Sequence, residues 1–122
     1  MKAYFYLLFL IFSLTSHGSY GQRPTYSEDE IIVKTVTDEM DQVFKSPDFL
    51  KKKNKQFQDI TGTMVVDIGI IQSGKVATFY KVENTITNID FINFVSEYIL
   101  QHKFKFKLPK KMRHKIRYSI TF

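Results

Sequence analysis

The side chains able to do chemistry in this 122-residue chain are few and dispersed. Past residue 21 the histidines are His102 and His114. They fall on different elements with no acid at ligand spacing, so each reads as a surface or core-edge histidine and no metal site is expected. Catalysis needs a nucleophile beside a base, or two carboxylates whose pKa values are pushed apart. Asp67, Glu83, Asp90 and Glu97 are too scattered for that, and Asp67, on a strand, is expected to face solvent. Gly62, Gly69 and Gly74 are too far apart to make a phosphate-cradling loop. With no cysteine, disulfides, thiolate metal sites, iron–sulfur clusters and cysteine nucleophiles are excluded. The residue types therefore point away from an enzyme, and no cofactor is expected.

Charge is the stronger signal. Residues 22–48 carry Arg23, Lys34 and Lys45 against seven acids, a net of −4, whereas residues 49–122 carry fourteen Lys and Arg against five acids, a net of +9. Eight of the basic residues fall between Lys103 and Arg117. Within that stretch Lys103-Phe104-Lys105-Phe106-Lys107 alternates cations with aromatics, a pattern that can meet phosphates and stack bases. An exported protein rarely meets nucleic acid, so the segment is expected to be a helix-to-strand connection with Phe104 and Phe106 in the core. An anionic membrane surface is the better electrostatic partner.

Export is read from the first 21 residues. Met1-Lys2 is a short positive start, Ala3–Leu14 is almost unbroken apolar sequence, and Thr15–Gly21 is small and polar. An apolar run of about 12 residues falls short of the roughly 20 that span a bilayer. A signal peptide cut after Gly21, at the small pair Ser19 and Gly21, is the expected reading. The product would be periplasmic or secreted, and an uncut segment would make it an inner-membrane anchor. The remaining residues suffice for one core without staples.

The elements that must position these residues follow from periodicity. Ile32, Val36, Met40 and Val43 lie on one helical face, entered through a capping-box spacing at Ser27 and Glu30. Ser46-Pro47-Asp48 starts a second helix, running to about Gln58, with Phe49, Leu50 and Phe57 inward. Met64, Val66, Ile68 and Ile70 then alternate as a strand, Gln72–Lys75 is a turn, and Val76–Glu83 returns with less distinct faces and an expected bulge. Thr87 and Asp90 open a third helix carrying Ile92, Val95 and Ile99, flanked by Ile89, Phe91 and Tyr98. The last strand alternates Met112, His114, Ile116, Tyr118, Ile120 and Phe122 against a basic face. The expected fold class is α+β, with a three-stranded antiparallel sheet in order 2-1-3 and helices on one face. The last strand is then an edge, and Arg113, Lys115 and Arg117 discourage unwanted pairing.

Residues 60–122 also carry Thr61-Gly62-Thr63-Met64-Val65-Val66, Ser73-Gly74-Lys75-Val76, an Ile89-Asp90 helix start, Phe104-Lys105-Phe106-Lys107-Leu108-Pro109 and a closing Tyr118-Ser119-Ile120-Thr121-Phe122. In that order they resemble the C-terminal domain of TonB-type energy transducers, with residues 22–59 as a helical segment before it. The resemblance implies two helices on a three-stranded antiparallel sheet, and a last strand that accepts a strand from an outer-membrane receptor or another envelope protein. Carried over, the binding edge is Ile116, Arg117, Tyr118, Ser119 and Ile120. Transducers of this family resemble an anchor, a Pro-rich spacer and this domain in series, whereas Pro24, Pro47 and Pro109 are isolated here. The expected function is thus a periplasmic binding module linked to TonB-dependent transport. The alternatives are a membrane-anchored minimal transducer and a basic binder of anionic lipid or polysaccharide. An open edge also permits a homodimer by strand pairing.

Overall fold

Strand alternation and helical periodicity resolve into six elements in a computed structural model that describes residues 22–122. They are helices α1 (Asp29–Lys45) and α2 (Pro47–Gln56), strands β1 (Thr63–Ile70) and β2 (Val76–Asn84), helix α3 (Ile89–Gln101) and strand β3 (His114–Thr121). The expected signal peptide, residues 1–21, lies outside the described residues. The sheet is antiparallel in the order β2-β1-β3, and the fold class is α+β.

Burial follows the alternation. Met64, Val66, Ile68 and Ile70 have no exposed surface, and Ile116, Tyr118 and Ile120 continue their layer on β3. Ile32, Val36, Met40 and Phe44 from α1, Phe49 from α2, and Phe91, Ile92, Val95 and Ile99 from α3 join them in one core. α3 packs against β2 and α1 against β3. The β1–β2 ladder shifts register between Val65 and Val66 and again between Gly69 and Ile70, which is the expected irregularity in the hairpin. The thin second layer is completed by rings: Phe44 meets Phe49 edge-on at 4.9 Å, and Phe91 meets Phe122 edge-on at 4.9 Å.

Several local expectations give way to tertiary contacts. The capping box at Ser27 does not form. Glu28 holds the N-cap position without a side-chain bond, and Asp29 reaches across 2.6 Å to His114 on β3. α3 is capped by Asn88 rather than Thr87, its Oδ1 accepting from the Phe91 amide at 3.0 Å. Ser46 does cap α2, with Pro47 in the first turn. α2 ends at Gln56, with Phe57 half-buried at its C-cap. Leu50 and Ile89, expected inward, are exposed because their helices turn Phe49 and Phe91 to the core instead. Met112 is exposed too, since the Pro109–Met112 turn ends before β3 begins. Asp67 is not solvent-facing: Arg117 covers it.

The Lys/Phe segment is structural. Phe104 and Phe106 have no exposed surface, and Leu108 follows the same alternation. Backbone bonds tie this segment to the hairpin tip, Phe104 N–H to the Gly74 carbonyl at 2.9 Å and Leu108 N–H to the Gln72 carbonyl at 3.0 Å. On its other side Lys107 exchanges bonds with Pro24 and Tyr26. Gly74 adopts a φ of +83°, and a Cβ there would lie 2.5 Å from the Phe106 carbonyl oxygen, so the position needs glycine twice over. Buried Glu39 on α1 accepts from the Lys105 amide at 3.1 Å and pairs with His102 at 3.0 Å, clamping helix to connection.

Phe106→Ala is expected to cost about 3–5 kcal/mol in urea unfolding. Glu39→Ala, which removes the acceptor of the part-buried Lys105 amide bond and the partner of His102, is expected to cost about 1–3 kcal/mol. A Phe106→Ala loss no larger than that of an exposed-residue change would remove the segment from the core.

Candidate partner-binding edge

β3 owes its place to a single in-register ladder with β1, from Thr63 opposite Thr121 to Ile70 opposite His114. Gly62 and Phe122 exchange both backbone bonds, at 2.8 and 3.2 Å, which sets the phase of the ladder. Bonded and non-bonded pairs alternate in an antiparallel sheet. The N–H and C=O groups of His114, Ile116, Tyr118 and Ile120 therefore point to β1, and those of Lys115, Arg117, Ser119 and Thr121 point outward. The far side of β1 agrees, because the Thr63 carbonyl accepts from Thr85 at 3.0 Å, beyond the end of β2.

The five residues assigned to the edge thus divide. Arg117 and Ser119 offer backbone groups that are unpaired among the described residues on the sheet's outer rim, and carry exposed side chains. Ile116, Tyr118 and Ile120 have their side chains in the core and their backbone groups on β1, so they hold the strand straight. Lys115 and Thr121 extend the open row and were missed by the sequence reading. The phase of a ladder leaves no mark in side-chain alternation, which gives the face and not the direction of backbone groups.

Two polar contacts fix this strand. Across from Arg117 is Asp67, bound by Arg117 Nε at 3.0 Å and Nη2 at 3.3 Å, with Lys115 at 3.6 Å. The Arg117 guanidinium holds the Asp67 carboxyl below its usual range, and Asp67 in turn raises Arg117. On the helix side the Tyr118 hydroxyl donates to Asp41 Oδ1 of α1 at 2.6 Å. Burial first, and this bond second, push the Tyr118 phenol well above its ordinary value. Beside the C-terminal half of β3 runs a groove of about 310 Å³, lined by Phe44, Leu50, Lys53 and Asn54 of the helices and by Tyr118–Phe122.

Among the described residues no three metal-ligating side chains converge, and no helix is long and apolar enough to cross a membrane. Fold and edge together define a small α+β domain with a strand open to pairing. No family model matches the sequence, and no similar curated protein or solved structure was found.

Because Asp67 is depressed in the fold, its contribution to stability is present above the ordinary carboxyl value of 3.8 and is lost as pH falls through the lower folded value. The wild type should therefore exceed Asp67→Asn in urea midpoint near neutral pH, with the gap closing below pH 3.8. A gap unchanged in acid would mean that the carboxylate's charge is not what holds Arg117.

Proposed function

We propose that this protein is an exported binding module, similar to the C-terminal domain of TonB-type transducers, that captures an envelope protein by adding the partner's strand to β3. The observation that carries the reading is the outward row of backbone groups on Lys115, Arg117, Ser119 and Thr121, the open edge of a sheet whose other face is covered by helices. Strand addition takes its affinity from such main-chain groups and its selectivity from pockets for alternate side chains. The groove beside Tyr118–Phe122 offers the pocket: exposed Leu50 at its rim and the Phe44 and Phe49 rings in its wall suit an apolar side chain on the incoming strand. Lys115 and Arg117 set two positive charges against the single carboxylate of Asp67, and the excess favours a partner segment with acidic residues on the opposite face. In this reading the partner is an outer-membrane receptor or another envelope protein, and the work is linked to TonB-dependent transport.

The test is photo-cross-linking in cells from Arg117 and Ser119, with the adducts identified by mass spectrometry. Adducts to an envelope protein are the expected result, and adducts only to the protein itself would point to edge-paired dimers. Ser119→Pro sharpens the test. Proline at an outward position of an edge strand removes one free donor and leaves the ladder to β1 intact. Cross-linking from Arg117 should be lost in a folded Ser119→Pro protein. Its persistence at the wild-type level would refute strand addition.

A further inference from the structure

A second surface lies at the end of the molecule where the hairpin tip meets the turn before β3. There Arg23, Gln72, Ser73, Lys107, Lys111 and Arg113 line a cleft of about 520 Å³. Four of its lining residues are cations and none is an acid. None of the four takes part in an ion pair among the described residues, whereas Lys115 and Arg117 are both committed to Asp67. No acidic side chain follows Glu97 in the sequence.

The cleft is built rather than diffuse. Arg23 Nη1 donates to the carbonyls of Ser73 at 2.7 Å and Phe104 at 3.0 Å, which fixes its guanidinium against the wall. Lys107 is clamped on both backbone sides by Pro24 and Tyr26. Lys111 stands at a φ of +65°, a conformation a non-glycine residue adopts at some cost, and its amide is turned toward Gln72 Oε1 at 3.4 Å. Arranging four like charges around one concavity is unfavourable unless an anion offsets their repulsion. Guanidinium forks match the oxygens of phosphate, and lysines add point charge.

We propose that this cleft binds a phosphate group, carried by a lipid headgroup at a membrane surface or by a free phosphorylated molecule. The site is separate from the β3 edge and does not depend on strand addition.

The probes are inorganic phosphate, titrated by calorimetry, and sedimentation of the full chain with vesicles of phosphatidylglycerol in phosphatidylcholine. Vesicles of phosphatidylcholine alone correct for any contribution of residues 3–14. The variants are Lys111→Gln with Arg113→Gln, and Lys111→Gly with Arg113→Gln, the glycine suiting the positive φ. The control is Lys51→Gln with Lys55→Gln on α2, which removes the same charge from an exposed helix face. Removing two cleft cations is expected to weaken vesicle binding about 30-fold, the loss of about 1 kcal/mol for each cation at an anionic surface, with the α2 control close to wild type. Binding of inorganic phosphate that is lost in the cleft variants, without vesicle binding, would support the site and assign it to a soluble phosphate. Equal losses in control and cleft variants, or binding to neither probe, would overturn the proposal.

Discussion

The register between β1 and β3 is the constraint on which the rest of this protein depends. Side chains alternate with a period of two, so a slip of one residue would turn Asp67 toward the core and Met64, Val66, Ile68 and Ile70 toward water. The apolar layer opposes that slip strongly. Asp67 opposes it from the other face, because its partner Arg117 lies directly across, at a non-bonded position where side chains come closest. The same register settles which backbone groups of β3 are satisfied and which are open. Core packing and the candidate binding edge are thus two consequences of one alignment.

Most of the architecture was legible in the sequence, for a physical reason. β1 and β3 bury one face each, so Met64–Ile70 and Ile116–Ile120 announce their alternation, and order 2-1-3 follows from a hairpin and one helical crossover. Phe104 and Phe106 were expected in the core on a different ground, that an exported protein rarely meets nucleic acid, and both are buried. What was hidden depended on contacts between distant residues. Asp29 is drawn to His114, 85 positions away, and the helix start follows that contact in place of its local cap. Glu39 and the Lys105 amide meet across 66 positions, and no pattern within α1 marks a glutamate as buried. The edge was foreseeable as a strand, but the division between Arg117 and Ser119 on one side and Ile116, Tyr118 and Ile120 on the other needed the ladder's phase.

The uneven charge now has a spatial account. Three acids of α1 are engaged by the C-terminal segment, Asp29 with His114 at the surface, Glu39 with His102 and Lys105, and Asp41 with Tyr118. They fasten the basic C-terminal segment to the helices. Among the cations, Asp67 holds Lys115 and Arg117 on β3, whereas Arg23, Lys107, Lys111 and Arg113 line the cleft at the hairpin tip and none of these four is in an ion pair among the described residues. The two surfaces differ in kind: one presents main-chain groups in a row, the other a concave positive field.

The bond from Tyr118 to Asp41 also has an optical meaning. The chain contains no tryptophan, so its ultraviolet emission comes from tyrosines alone. A phenol bonded to a carboxylate emits weakly, because the excited ring passes its proton to the acceptor. Tyr118 is therefore expected to emit weakly while its hydroxyl bonds Asp41, as is Tyr98, which donates to Asp48 at 2.8 Å, and Tyr118 should brighten when β3 leaves α1. The open edge strand thus carries its own lamp, with no label to be attached.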